Sequence, residues 1–536
     1  MPLEFLTDAQ VARYGRFDGV PSRADLERFF VLDEVDRKLI GDRRGDHNRL
    51  GLLLQATAVR YVGRFLEDPL DVPWLVVEYL AGQLGIVDAS CMKRYTDRAM
   101  TAYKHAWQIL EAYGLRVFED AEVTAGLRQF LDGRAWTHTE GPGALFEHGV
   151  GWLRRNRVLL LGITVLIRLV ATVREAAAER MHATLAEAAT AVDPMLPGRL
   201  RASLAVPDGS RFSEMQSWRR APTRVSGPGL VKALDRAADL EGLGVRAADC
   251  SAVPANRIAA LARYGLASKA PTLQALAEPR RTATLLAMAR HLDAVAIDDA
   301  LDLFALLMAT RLINPARAAS ATERLASLPR LERASRMLAV AHRELFKTLD
   351  AVEQAQTGLD VAAVWAVLEQ VASREQLVGA AATVEDLVPE DDGSAESAMR
   401  VVLGERYRTV RPFLSLLGTS GSLVAAAGGA KVLAAVKSLP DLAARKVTSK
   451  PLRQSEIDTD LVPLMWQRAV YANPALAQGA VDRDAYVVCV LEQLHKALGS
   501  VTSSRCRPTA GAIPVPSCWM VRRGKRCARR SSTAWD

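Results

Sequence analysis

Apolar residues recur at helical spacing along almost the whole chain, and Gly and Pro interrupt the pattern at intervals. Ser22 and Asp33 each stand immediately before such a segment and are suitable N-caps. No strict alternation of apolar and polar residues is long enough to predict a strand. The pattern predicts helices at about 23–30, 34–40, 50–65, 74–84, 97–113, 120–132, 143–156, 163–190, 282–293, 297–313, 318–356 and 360–377, with two more within 460–498. The sequence therefore predicts an all-α fold.

The length of 536 residues predicts several small helical domains in series, because domains average roughly 150 residues. Pro and Gly content and charge change near 195 and 300, and an acidic loop at 389–397 resembles a linker. The predicted boundaries enclose 1–85, 86–195, 196–300, 301–388 and 389–498. The remaining segment, 499–536, has no helical periodicity and is rich in Arg, Ser, Cys and Pro, so it is expected to be a disordered basic tail.

Composition supports packed helices, since hydrophobic residues make up 49% of the chain and aromatic residues only 6%. The net charge of +8 suggests a polyanionic partner at first sight. However, the tail 499–536 contains eight Lys or Arg and one acid, so it carries +7 and leaves +1 for the rest. The overall basicity therefore says little about the body, whose basic surfaces have to be sought locally.

The chain has features of a cytoplasmic protein. Its start lacks the basic and apolar regions of a signal peptide, and its six cysteines form no C-x-x-C pair. The most apolar stretch, 158–173, is interrupted by Arg168 and is shorter than the roughly 20 residues of a membrane span. These features predict reduced cysteines and no membrane partner.

The first candidate binding motif is RRGDHNRLG at 43–51, which precedes the apolar run of a predicted helix. Arg and Asn can form bidentate hydrogen bonds to guanine and adenine, and Arg also binds phosphate. The alternative is a solvated loop in which Asp46 caps the helix. The candidate DNA-binding residues here are Arg43, Arg44, His47, Asn48 and Arg49.

The second motif is MKRYTDRAMTAYKHAWQI at 92–109, which interleaves basic and aromatic residues. Lys104 and Trp107 lie about one helical turn apart and share a face. Such a face suits a nucleic-acid backbone, and Lys93, Arg94 and Lys104 are the candidates. The alternative is an ordinary amphipathic helix with Trp107 in the core.

Two further clusters of arginines are candidates for phosphate binding. WLRRNR at 152–157 places Arg154, Arg155 and Arg157 at the end of a helix, where they could equally stabilise the negative end of the helix dipole. QSWRRAPTR at 216–224 places Arg219 and Arg220 in a predicted Pro-containing loop. The segment 256–276 has helix–turn–helix spacing with Gly265 expected at the turn, a weak signal because this spacing is common.

No motif for catalysis is present. The sequence contains no H-E-x-x-H, P-loop or G-x-S-x-G pattern, and no carboxylate trio borne by predicted strands. Two-metal phosphoryl transfer needs carboxylates held around ions about 3.5–4 Å apart. We therefore assign no catalytic, metal-binding or cofactor-binding residue and expect no small-molecule substrate.

Several segments together resemble the N-terminal and middle regions of transposases of the Tn-3 family. The resemblance is collinear over about 1–498, which makes it more specific than any single motif. The segments that carry it are EFLTDAQVARYGRF, DLERFF, RRGDHNRLG, DPLDVPW, LAGQLGI, KRYTDRAMTAYKHAW, WLRRNRVLLLGITVLIRLV, LVPLMWQRAVY and AYVVCVLEQLHKAL.

The resemblance implies that helical domains, here 1–85, 86–195 and 196–300, bind the double-stranded terminal inverted repeats of a transposon. It implies linker and dimerisation functions for 301–388 and 389–498, and hence a possible homodimer. In this family a ribonuclease-H-like domain with an Asp-Asp-Glu triad and Mg²⁺ nicks and joins DNA. Family members are about twice this length, and that domain lies beyond the matched region, so we expect a truncated chain without strand-transfer activity.

The tail is consistent with a frameshift near Gly499. One set of codons for AGAIPVPSCWM at 510–520, shifted by one base, encodes RWGDPRAKLLD, which matches the family's continuation. The alternatives are an active enzyme with a triad in the body, a helical interaction or dimerisation fragment without DNA specificity, and a degraded gene product that folds poorly.

Overall fold

The computed structural model describes residues 5–41, 43–97, 99–355, 358, 360–388, 395–421, 423, 429–445, 451–472, 476–477 and 479–501. These residues fold into two compact units, one within 1–201 and 248–288 and the other within 202–247 and 289–501. The predicted region 196–300 is thus divided between the two units, and the predicted domain boundaries stay predictions. The acidic linker at 389–394 and the tail at 502–536 lie outside the described residues.

The all-α prediction is confirmed. The first unit contains α1 Asp8–Arg13, α2 Arg23–Phe29, α3 Glu34–Ile40, α4 Asp46–Val62, α5 Trp74–Leu84, the 3₁₀ helix Ala89–Asp97, α6 Ala99–Tyr113, α7 Ala121–Thr137, α8 Pro142–Arg155 and α9 Ile163–Val192, with α13 Ala255–Ala267 and α14 Ala270–Gln274. The short α10, Leu196–Ala202, and the long α15, Arg280–Leu307, each contain a boundary between the units.

The second unit is also helical within the described residues. It contains α11 Glu214–Arg219, α12 Gly227–Glu241, the π-helical turn Met308–Ile313, α16 Asn314–Ala355, α17 Val361–Glu369, α18 Arg374–Leu387, α19 Ala395–Gly404, α20 Tyr407–Val410, α21 Leu414–Thr419, α22 Ala430–Lys437, α23 Leu439–Ala444, α24 Leu464–Tyr471 and α25 Arg483–Val501. Short 3₁₀ helices lie at Val245–Ala247, Arg411–Phe413, Gln454–Glu456 and Thr459–Leu461. Two-residue strands β1, Leu452–Arg453, and β2, Ala480–Val481, pair antiparallel.

Capping explains where the early helices begin. The side chains of Ser22 and Asp33 accept hydrogen bonds from the backbone N–H groups three residues later. In turn, the side chains of Asp25 and Asp36 accept hydrogen bonds from the backbone N–H groups of the two caps. The predicted start of the next helix at 50 is wrong, because α4 begins at Asp46 after Gly45 in a positive-φ conformation. The predicted break at 294–296 is also absent, since α15 continues through it. Ala and Leu favour helix there and no Gly or Pro interrupts the turn.

α4 is the central helix of the N-terminal core. Every residue from Leu50 to Val59 is buried, so this helix is surrounded by its neighbours rather than amphipathic. Phe30 directly after α2, Leu80 of α5 and Ile109 of α6 pack into the same core. Burial of each such side chain stabilises the fold by roughly 1.5–3 kcal/mol. A second core joins α7, α8 and α9, and a small one joins α16, α17 and α18.

Candidate nucleic-acid interface

The two N-terminal motifs meet at the beginning of α4. A Cβ placed on Gly51 would lie 2.2 Å from Cδ2 of Tyr95, which is fully buried in the 3₁₀ helix Ala89–Asp97. No side chain fits between them, so only glycine allows the tyrosine ring to lie against α4. This close approach brings the segment 43–51 next to the segment 92–109.

Arg43 connects the two motifs. Its Nε donates to the carbonyl oxygen of Leu39 at 3.0 Å, Nη1 donates to Nε2 of His105 at 3.1 Å, and Nη2 donates to Oε1 of Gln108 at 2.7 Å. Internal acceptors therefore engage all three nitrogens of the guanidinium. This geometry favours a role in positioning α6, and contact of Arg43 with DNA stays a prediction.

His105 is the buried acceptor of that link. Because an arginine only donates, Nε2 of His105 must carry a lone pair, which places the ring proton on Nδ1, 3.0 Å from the hydroxyl oxygen of Tyr95. The two rings stack with centroids 5.6 Å apart. Burial, followed by the nearby Arg43 cation, lowers the pKa of His105 to about 4. His105 is therefore neutral at physiological pH.

The other candidates of the first motif lie in the first turn of α4 or immediately before it. Asn48 donates to the carbonyl oxygen of Arg44 at 3.2 Å, and Arg49 donates to Asp46 at 3.3 Å and to the carbonyl oxygen of Leu84 at 3.4 Å. Nδ1 of His47 is buried and has no hydrogen-bond partner among the residues that the structure describes. Arg44 is exposed and belongs to no ion pair among the described residues, so it is the side chain of this motif best placed for a ligand.

The second motif presents its aromatic residues to solvent. Trp107 and Tyr103 are each 60% exposed on α6, and their ring centroids lie 6.4 Å apart in an edge-to-face arrangement. Lys104 lies between them in sequence and is exposed, as are Lys93 and Arg94. The alternative with Trp107 in the core is wrong, because His105 and Ile109 occupy the buried face of α6.

The third motif lies at the other end of α4. Arg154 and Arg155 occupy the last turn of α8, and Arg157 follows with a φ of 54°. The backbone N–H of Leu160 donates to the carbonyl oxygen of Gly63 at 2.9 Å, which holds this segment beside the end of α4. Arg154 and Arg157 line a cleft of about 750 Å³ together with Arg28, Tyr61 and Tyr113, among other residues.

Arg157 is the one non-glycine residue with a positive φ among the described residues. The left-handed region costs such a residue roughly 1–2 kcal/mol, whereas glycine occupies it freely. Glycine also increases the entropy of the unfolded chain, which offsets roughly 0.4–1 kcal/mol of the gain.

We expect Arg157→Gly to be more stable than Arg157→Ala by about 1 kcal/mol, although both variants lose the same guanidinium. Thermal unfolding of the two variants measures the difference. If Arg157 binds phosphate, both variants weaken DNA binding equally. Equal stability of the two variants would contradict the strain.

The structure thus collects eight candidates at the beginning of α4 and three at its end. With 17 residues and a rise of 1.5 Å per residue, α4 separates the two groups by about 25 Å. This distance is shorter than the roughly 34 Å of one turn of B-DNA.

The sequence matches one family model and several known proteins. A family model described as "Domain of unknown function (DUF4158)" matches residues 5–173, which include both groups. The transposase of transposon gamma-delta from Escherichia coli is 32% identical over 503 residues, covering 93% of this chain and 47% of the relative. The transposase of transposon Tn4556 from Streptomyces fradiae is 43% identical over 302 residues, covering 55% of this chain and 33% of the relative.

The chain belongs to the Tn-3 family of transposases. The transposase of transposon Tn501 from Pseudomonas aeruginosa is more distant, at 24% identity over 89% of this chain and 46% of the relative. The chain therefore spans about half the length or less of these three relatives.

Two candidates of this Tn-3 family chain lie in the second unit. Arg219 ends α11 instead of lying in a loop, because Ser213 and Gln216 form a capping box that begins this short helix. Burial lowers the pKa of Arg219. Arg220 follows in extended conformation, and its guanidinium lies 3.6 Å from the centroid of the Phe212 ring. Arg220 is exposed and is the better placed of the two for a ligand.

The predicted turn of the helix–turn–helix segment is wrong in its detail. Gly265 lies inside α13, where a Cβ would come within 3.2–3.3 Å of Met288 and Thr284 of α15, so close helix packing explains the glycine. The chain turns at Ser268 and Lys269 instead. The following helix, α14, has only five residues. Binding of DNA by the segment 256–276 stays a prediction.

Metal-binding and membrane-spanning features are scarce within the described residues. No group of three His, Cys, Asp or Glu side chains there could hold a metal ion. No single described helix is long and apolar enough to cross a membrane, and only Trp74–Leu84 with Ala89–Asp97, bent by 101°, meets the length and composition criteria as a pair.

Only the basic residues of the motif at 92–109 were predicted to bind DNA, although the motif also contains Tyr103 and Trp107. Their spacing of four residues puts both on one face of α6, and Lys104 beside them was the available signal. The sequence also did not predict that Tyr95 and His105 are buried beneath this surface.

Proposed function

We propose that this chain binds double-stranded terminal inverted-repeat DNA as part of a Tn-3 family transposase, and that the whole protein acts in DNA transposition. The observation that carries the proposal is the surface at the beginning of α4 and α6. There Arg44, Lys93, Arg94 and Lys104 are exposed and belong to no ion pair among the described residues. The relatives from Escherichia coli and Streptomyces fradiae are transposases, which supports the same reaction class.

The chemistry of these side chains suits contacts to the DNA backbone. Lysine ammonium groups bind phosphates as point charges, whereas arginine can also read guanine through two parallel hydrogen bonds. Phosphate contacts fix the register, and base contacts supply specificity. We therefore assign Lys93, Arg94 and Lys104 to phosphates and Arg44 to a base edge or a phosphate. The arginines at the end of α8 would contact the same duplex about 25 Å away.

The test is a titration of the full chain against the repeat and a scrambled duplex at several salt concentrations. Replacing Lys93, Arg94 and Lys104 by Ala is expected to weaken repeat binding and to reduce the slope of log affinity against log salt by about 2.7, or about 0.9 per phosphate contact. The ratio of the two affinities measures specificity, because the basic tail contributes to both duplexes alike.

A matched control removes the same charge elsewhere. Arg13, Arg23 and Lys347 each form an exposed ion pair, with Asp18, Glu27 and Glu344 respectively. Replacing these three by Ala should leave the slope and the specificity unchanged. Equal affinity of the wild-type chain for repeat and scrambled DNA would contradict the proposed specificity.

For catalysis we assign no step to the described residues, because no carboxylate cluster there fits a pair of Mg²⁺ ions. The proposed site of action is DNA in the cytoplasm, at the nucleoid. Homodimerisation is the second candidate function, favoured by Leu325 and Phe346, which are 70% and 60% exposed on the long helix α16. Sedimentation of the full chain tests it.

A further inference from the structure

The exposed side of the first half of α6 has an unusual composition for a surface helix. Met100, Tyr103 and Trp107 are 63%, 60% and 60% exposed, and with Lys104 they form what we call the aromatic face. The side chains are three or four residues apart, so they lie on one side of the helix. The opposite side of α6 is anchored by the buried His105 and Ile109. The face is therefore rigidly presented.

No interaction within the described part of the chain accounts for the exposure of Trp107. Its indole N–H donates to no described residue, and Tyr103 is its one ring partner there. Trp74 provides a contrast, because it is 50% exposed but donates its N–H to Oε1 of Glu78 at 2.7 Å. Large exposed aromatic groups of this kind commonly mark a binding surface.

The charges around the aromatic face favour a polyanion. Lys104 is part of the face, and Lys93 and Arg94 are exposed on the 3₁₀ helix that contacts α6. Glu111 is exposed one turn beyond Trp107 and limits the positive surface to the first half of α6. An aromatic pair bordered by cations matches the stacked bases and phosphates of nucleic acid better than an apolar protein surface.

In an intact B-DNA duplex the faces of the bases are hidden by stacking, and only their edges are accessible in the grooves. An aromatic ring on a rigid helix can stack on a base only where a base step has opened. Architectural proteins insert apolar side chains between base steps in this way and bend the duplex.

We propose that the aromatic face opens one base step of the bound duplex, with the ring of Trp107 stacked on a base and Lys104 on a neighbouring phosphate. This inference rests on the proposed DNA binding but goes beyond it, because it assigns a deformation of the duplex to particular side chains. The partner is double-stranded DNA whose stacking is broken at one step, and the bend should centre on that step.

The test uses the full chain with repeat duplexes that carry 2-aminopurine at successive positions and a dye pair at the two ends. Wild-type protein is expected to raise 2-aminopurine fluorescence at one step and to shorten the distance between the dyes. Trp107→Ala should abolish both signals at saturating protein and weaken binding roughly tenfold, since one base–aromatic stack is lost. Trp107→Phe should retain the signals.

Two control variants separate stacking from charge and from tryptophan loss in general. Lys104→Ala should reduce the salt slope by about 0.9 but keep the 2-aminopurine signal at saturation. Trp74→Ala removes an exposed tryptophan beside an acid and should change neither. Far-ultraviolet circular dichroism confirms that each variant is folded.

The outcomes distinguish this inference from the proposed function. Specific repeat binding with an unchanged 2-aminopurine signal in Trp107→Ala would overturn the inference and leave the function intact. Failure of the wild-type chain to prefer the repeat would overturn the function itself. A change in sedimentation mass in Trp107→Ala, with DNA bending unchanged, would show that the face binds protein and would also overturn the inference.

Discussion

Replacing Arg60 by Met is expected to lower the free energy of unfolding of the N-terminal core by about 3–5 kcal/mol. Nη2 of Arg60 lies 3.0 Å from both carboxylate oxygens of Asp36 and 3.3 Å from Asp33. The side chain of Asp36 is completely buried, and Tyr113 donates its hydroxyl proton to it. Without the guanidinium a carboxylate would remain buried with no cation beside it.

The measurement is urea unfolding, monitored by hydrogen exchange of the backbone amides of α3, α4 and α6. A single global unfolding midpoint would combine the stabilities of the two compact units, whereas these helices report on the N-terminal core alone. Arg23→Ala is the matched control, since it breaks an exposed pair with Glu27 and should change stability by less than about 1 kcal/mol. A loss below about 1 kcal/mol in Arg60→Met would contradict the prediction and show that the buried Asp36 side chain does not depend on the guanidinium.

The Arg60 network matters for the interface because of the elements it connects. Asp36 is on α3, Arg60 near the end of α4, and Tyr113 at the end of α6. At the opposite end of α4, Arg43 and Tyr95 fix α6 through His105. The two polar networks therefore hold α4 and α6 together at both ends of α4. The cations proposed to bind DNA are consequently held in fixed positions relative to one another.

The sequence was sufficient to predict the helices wherever local signals agreed. Ser22 and Asp33 specify their helices through capping boxes, which involve only residues within one turn. The start of α4 was missed because Gly45 and the polar residues after it resemble a loop in isolation. They become helical because the apolar run that follows is buried on all sides.

The contacts of the candidate residues were harder to predict than the motifs to which they belong. The motifs at 43–51 and 92–109 were both found, but sequence spacing does not reveal that Gly51 brings them together. Arg43 was predicted to contact DNA, and nothing in the sequence indicated that it also donates to His105 and Gln108. Trp107 is a large apolar residue of the kind usually found in a core, but its side chain is exposed. The contacts of Arg43 are set by neighbours more than ten residues away in sequence. The exposure of Trp107 follows because the opposite face of its helix packs into the core.

The burial of His105 makes the N-terminal core sensitive to acid. Its pKa falls from 6.5 to about 4 on folding, so the unfolded chain binds a proton more readily than the folded one. Stability that depends on neutral His105 is therefore fully present above pH 6.5 and is lost as the pH falls toward 4. The expected loss is on the order of 3 kcal/mol, because the two pKa values differ by about 2.5 and each pKa unit corresponds to about 1.4 kcal/mol, which sets a limit of about 3.5 kcal/mol.

Comparison of the wild-type chain with His105→Gln isolates this contribution. Glutamine can still accept the hydrogen bond from Arg43 through its amide oxygen but does not titrate. His182, whose pKa burial also lowers to about 4, remains in both proteins and cancels in the difference. Urea unfolding at pH 7 and pH 4.5, followed by hydrogen exchange of α4 and α6, should show a flatter pH dependence in the variant. The same pH dependence in both proteins would mean that His105 takes up its proton without losing its contacts. Protonation would put two cations side by side, at the 3.1 Å separation of Arg43 Nη1 and His105 Nε2. Retention of the link is therefore the less favourable outcome, and acid should release α6 from the beginning of α4.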